Sequence, residues 1–131
     1  MKKDILIPEV KEVFVAAALV YNPYFKVKEW NIYLINNLQE PIETVLVVSS
    51  GKSKQKATSV LRKKLDLLPA KSFAKLEYIQ EDVMALENSF QVSFFIGNQL
   101  LDKTFTFKSN QIQEKNLAEI PLLKEKGVLA G

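Results

Sequence analysis

A chain of 131 residues, 47% hydrophobic and 25% charged, fits one globular domain with a buried core. It holds no cysteine and no histidine, which excludes disulfides, thiolate ligands and thiol nucleophiles and removes the commonest general base and metal ligand. The net charge is +3, but residues 51–75 carry eight basic groups against the single acid Asp66, leaving ten basic and fourteen acidic groups elsewhere.

The first apolar run, VFVAAALVY at residues 13–21, is far shorter than the roughly 20 residues of a membrane helix. Glu9, Lys11 and Glu12 precede it, a poor match to a leader. It reads as a buried strand of a cytoplasmic protein, apolar on both alternating faces. A helix stays open as the alternative, because Val10, Val13, Phe14, Ala17 and Tyr21 also share a helical face. Asn22-Pro23 marks a turn. Tyr21, Tyr24 and Phe25 around it are expected to close one end of the core rather than stand as an exposed anchor.

EWNIYLINN is a central strand, with Trp30, Ile32 and Leu34 on one face and Tyr33 and Ile35 on the other. Trp30 is a candidate for the centre of the core. After the LQEP turn, IETVLVVSS is another strand. Residues 54–66 suggest a short helix with Leu61, Leu65 and Leu68 on one side and Arg62 and Lys63 outward. FAKLEYI and FQVSFFI are strands, the latter with Phe90, Val92, Phe94 and Ile96 inward. GNQLLD connects FQVSFFI to KTFTFK, whose Phe105 and Phe107 face the core. A second helical segment is expected near Glu114 to Glu119, before Pro121. Strands following strands argue for a single all-β domain over residues 1–131: an immunoglobulin-like antiparallel sandwich of about seven strands, with residues 111–131 packed on it or on a neighbour.

The stretch VSSGKS at residues 48–53 resembles the end of a phosphate-binding loop. Such a loop needs a first glycine five residues before Gly51, where Leu46 stands, and no later strand ends in a magnesium-holding acid. The stretch therefore reads as a strand end. No cofactor is expected. Lys52, Lys54, Lys56, Arg62, Lys63 and Lys64 form a basic segment able to meet RNA phosphates or an acidic partner. No aromatic residue between 50 and 72 offers a stacking platform. Among the acids, Glu81-Asp82 would point to opposite faces of a strand, so no acid–base pair emerges and no enzyme is expected.

Phe95 interrupts the polar face of FQVSFFI, which marks either a covered position or a contact point. The C-terminal segment, with Ile112, Leu117, Ile120, Leu122, Leu123, Val128 and Leu129, is too apolar to float. It supplies one cover, and tail exchange or edge pairing would make a homodimer. Phe95, Leu122 and Leu123 are the candidate protein contacts.

LIPEV, EWNIYLINN, LVVSSG, LPAKSFAKLEY, DKTFTFK and IPLLKEKGVLAG together resemble a family of short bacterial proteins of about this length, some labelled phenylalanyl-tRNA synthetase. The resemblance carries no catalytic residue over. Arg62 is the only arginine, whereas class II synthetases hold ATP on arginine-bearing motifs. GKSKQKATS echoes the Lys-Ser-Lys signature of the other class, whose partner motif contains histidine. The expected function is a non-enzymatic module that binds a partner protein, with no membrane role. The alternative is a basic accessory domain binding RNA, including tRNA.

Overall fold

In the computed structural model, which describes residues 9–131, the chain forms two antiparallel four-stranded sheets stacked as a sandwich. Leu6, Ile7 and Pro8 of the LIPEV stretch lie outside the described residues. The first sheet contains β1 (Val13–Asn22), β2 (Val27–Asn36), β5 (Ser72–Ile79) and β8 (Gly127–Leu129), in the order β5-β2-β1-β8. The second contains β3 (Ile42–Lys52), β4 (Leu61–Leu68), β6 (Glu87–Ile96) and β7 (Gln99–Phe107), in the order β4-β3-β6-β7. A four-residue helix, α1 (Glu81–Met84), links β5 to β6, and a 3-10 turn (Glu114–Asn116) precedes β8. No helix among the described residues is long and apolar enough to cross a membrane.

Alternation decides what each strand buries. Val13, Val15 and Ala17 of β1, Ile32 and Leu34 of β2, and Val45 and Val47 of β3 meet Phe90, Val92 and Phe94 of β6 and Phe105 and Phe107 of β7 in one cluster. Phe90 and Phe107 stack edge to face, with centroids 5.9 Å apart. These phenylalanines fill the centre; Trp30 is only half-buried, packed against the cluster's margin.

β1 is a strand, and its other face explains why its pattern also fitted a helix. The C-terminal segment crosses the outside of the first sheet, seating Ile120 against Ala16 and Ile35, with Phe14, Tyr33 and Leu123 around them. Both faces of β1 are thus covered, and hydrophobicity no longer alternates. β8 then pairs antiparallel with β1, Val128 opposite Ala17. Gly131 exchanges two hydrogen bonds with Thr106 of β7, each 2.9 Å. The chain therefore stitches the two sheets together along the β8–β7 side, while β4 and β5 form the edges of the opposite side.

Three further expectations are corrected. The helix over 54–66 is absent: residues 52–57 form a small hairpin and β4 pairs with β3. Its helical spacing comes from an irregularity in the ladder. Thr44 has φ 48°, and the β3–β6 register shifts between Glu43 and Leu46. Ile42 and Val45, three residues apart, both face inward, and their partners Leu68 and Leu65 copy that spacing. The second expected helix shrinks to the 3-10 turn, because Leu117 is already extended at ψ 137°. Tyr21, Tyr24 and Phe25 do not close the core; they are exposed.

Asn36, at the end of β2, is fully buried. Its Nδ2 donates towards the carbonyl oxygens of Glu40 (3.0 Å), Leu68 (3.1 Å) and Pro69 (3.0 Å), and its Oδ1 accepts the Leu38 N–H at 3.0 Å. One amide therefore joins the β2–β3 turn to the end of β4 and the β4–β5 connection, giving their carbonyls a buried donor.

Candidate interaction surfaces

The basic segment begins where β3 ends. Lys52 bridges Ala57, the Ser53 N–H donates to the Lys56 carbonyl at 2.8 Å, and Ser53 Oγ accepts from the Lys56 N–H at 3.1 Å. The Gly51 N–H donates to Thr58 Oγ1, and the Thr58 N–H returns a bond to the Gly51 carbonyl, both 2.8 Å. The Gly51 and Ser53 N–H groups that would have to converge on a phosphate are thus committed to the hairpin. Gly51 is glycine for packing: a Cβ there would stand 2.8 Å from Asn88 Oδ1. Gly-Lys-Ser is a strand end and the shoulder of a hairpin, with Lys54 and Lys56 exposed at its tip.

The six basic residues do not share one face. Arg62 pairs with Val48 and Lys64 with Leu46, on the outside of the second sheet. Lys63 pairs with Val47, which is 3% exposed, and so lies on the side facing the first sheet.

Phe95 is half-buried on the outside of the second sheet, with Glu43 beside it on β3 and Leu100 on β7. The C-terminal segment covers the first sheet, not Phe95. Leu123 is half-buried against the protein's own first sheet, and Leu122 stands more exposed with φ 70°. Glu81 and Asp82 occupy α1 rather than a strand. Glu77, half-buried, accepts the Ser49 hydroxyl at 2.9 Å. No group of three or more metal-ligating side chains occurs among the described residues.

The most exposed apolar groups are those expected in the core. The turn joining β1 to β2 leaves Tyr24 90% and Phe25 76% exposed, with Tyr21 and Val27 more than half exposed beside them. The turn is held in shape. Asn22 Oδ1 accepts the Tyr24 N–H at 2.9 Å and the Phe25 N–H at 3.4 Å, and Asn22 Nδ2 donates to Glu29 Oε1 at 2.8 Å. Lys26 completes it with φ 54°. An open cleft of about 690 Å³ adjoins the tip, lined by Phe25, Trp30, Glu29, Glu81, Met84 and Glu114. A signal for this exposure stands in the sequence: Lys26 and Lys28 bracket Val27 directly after the aromatics, and those charges have no place in a sandwich core.

No family model, curated protein or solved structure matches the chain.

Proposed function

We propose that this domain is a non-enzymatic contact module that binds a partner protein through the aromatic tip of the β1–β2 hairpin. The carrying observation is the pairing of order with exposure at Tyr24 and Phe25. Aromatics carried on a backbone turn that is already fixed need no loop ordering on binding, and aromatics are enriched at interfaces. Nothing in the core requires them, since they contribute to neither apolar cluster. The adjoining cleft gives the partner a second foothold, with Glu29, Glu81 and Glu114 outnumbering Lys28 and favouring basic groups there. The architecture suits this role. The pairings β5-β2-β1 and β3-β6-β7 support an immunoglobulin-like strand order in which β4 joins the second sheet.

The double change Tyr24→Ser and Phe25→Ser should leave the unfolding midpoint within about 4 °C of wild type, because each exposed position contributes within about 0.5 kcal/mol. A photo-crosslinking residue at position 24 in the native cell should give a discrete protein adduct, and one at exposed Thr104 on β7 should not. Equal labelling from both positions, or none from 24, would refute the reading. Co-sedimentation with anionic vesicles that the double change abolishes would replace the partner protein with a membrane.

A further inference from the structure

We propose that β4 is a docking edge for an acidic, extended segment of a partner protein, which adds to the second sheet as a further strand. The inference rests on the β4 edge and is independent of the aromatic tip. β4 is eight residues long and terminates the β4-β3-β6-β7 sheet. Among the described residues, no backbone hydrogen bond from outside its ladder with β3 reaches residues 61–67. On the opposite side of the sandwich, Gly131 closes part of β7. Alternate N–H and C=O groups of β4 therefore point outward as a template for another strand.

The side chains select what that strand can be. Facing the first sheet, Leu61 is 53% exposed and Leu65 half-buried. Beside them a groove of about 290 Å³ runs between β4 and β5, with Val47, Leu76, Lys63 and Glu77 in its walls. An added strand would lay alternate side chains over Leu61, the aliphatic stem of Lys63 and Leu65 and cover this groove. Its other side chains would meet Arg62 and Lys64 on the outside, and its end would lie near the hairpin of Lys52, Lys54 and Lys56. The same charges oppose pairing of two β4 edges with each other, because like charges directly opposite destabilise a ladder. They favour an acidic strand with apolar residues at every second position. A nucleic acid fits less well: the cations are split between two faces of one strand, and phosphate tracking calls for a continuous stripe.

The probe is a capped octapeptide alternating Glu and Val, titrated at low salt into the intact ¹⁵N-labelled protein. Amide shifts should concentrate on residues 61–67, with binding detectable below about 1 mM. A strand bonds its neighbour through alternate residues, so two peptides N-methylated at complementary alternate positions should differ by about tenfold or more in affinity. The double change Arg62→Glu and Lys64→Glu lies on an exposed edge. It should weaken the acidic peptide by about tenfold and admit a peptide alternating Lys and Val. Absence of shifts at about 1 mM would overturn the proposal. So would equal binding of both methylated peptides, which would leave only a general polyanion surface, to be confirmed by competition with heparin or RNA.

Discussion

Replacing Gly127 by alanine should detach the C-terminal segment from the first sheet. A Cβ at this position would stand 2.4 Å from the Ala17 carbonyl oxygen and 3.1 Å from Ala17 C and Ala18 Cα. All three are backbone atoms of β1, an inner strand of its sheet, so no flexible side-chain end can yield. β8 must lift instead. With it go the bonds from the Leu19 N–H to the Lys126 carbonyl at 3.3 Å and from the Ala130 N–H to the Val15 carbonyl at 2.9 Å, and the burial of Val128 and Ile120. Each of those side chains contributes about 1.5–3 kcal/mol, so the variant should lose about 3–6 kcal/mol of unfolding free energy, a large part of the 5–15 kcal/mol typical of a domain. Urea unfolding measures that loss. Sedimentation should also show concentration-dependent association, because Phe14, Ala16, Tyr33 and Ile35 lose their cover. A variant that stays monomeric and keeps its urea midpoint would show that β8 contributes nothing to the fold.

The C-terminal cover also explains what the sequence could and could not tell. The strands with period-2 burial, β6 and β7 above all, are legible because one face of each is apolar and the other, apart from Phe95 and Leu100, is mostly polar. β1 was ambiguous because its second face is covered by residues some hundred positions later, information that no local window contains. The helix read into residues 54–66 failed for a related reason. Leu61, Leu65 and Leu68 are spaced as on a helix only because the ladder irregularity at Thr44 turns Leu68 to the same side as Leu65. Pairing with β3 then outweighs the helical tendency of LRKKL.

The candidate surfaces follow the same division. Rejecting the phosphate loop needed only Leu46, and the hairpin bonds of Gly51 and Ser53 agree with it. The charge of residues 52–64 was visible as composition, but its division between two faces required the register against Val47 and Val48. The aromatic tip was misplaced by residue type alone. Phenylalanine is usually inside and tyrosine often partly so, yet a two-stranded hairpin must put its turn beyond the last paired residues. Asn22 pairs with Val27, which leaves Pro23, Tyr24, Phe25 and Lys26 outside the ladder.

The Asn36→Asp change should be among the most damaging single substitutions in this chain, and it should be pH-dependent. The two carboxamide hydrogens of Asn36 point among three carbonyl oxygens, so one is shared between acceptors. Aspartate has the same shape but offers a second negative oxygen where the donor stood. At neutral pH it would bury a charge against three carbonyl dipoles, with the nearby Lys71 ammonium already held by the Asn37 carbonyl at 2.9 Å, costing about 4 kcal/mol or more. Asn36→Ala removes the donors without adding charge and should cost less, about 2–3 kcal/mol. The ordering of the two variants separates electrostatic repulsion from loss of hydrogen bonds. In the Asp variant, burial and the facing carbonyls raise the folded-state pKa above the ordinary value of about 3.9. The folded state then holds a proton that the unfolded state has lost, so stability falls as pH rises from about 3.9 through the folded pKa. Lowering the pH across that window should recover much of the deficit relative to wild type, because the protonated carboxyl can donate one bond. Urea midpoints of wild type and both variants between about pH 3 and 7 supply the comparison. An Asp deficit that is flat with pH, or no larger than that of Ala, would mean that Asn36 does not anchor the corner through its donors. The corner matters to function because it fixes where β4 ends and β5 begins, and so how the edge proposed for docking is presented.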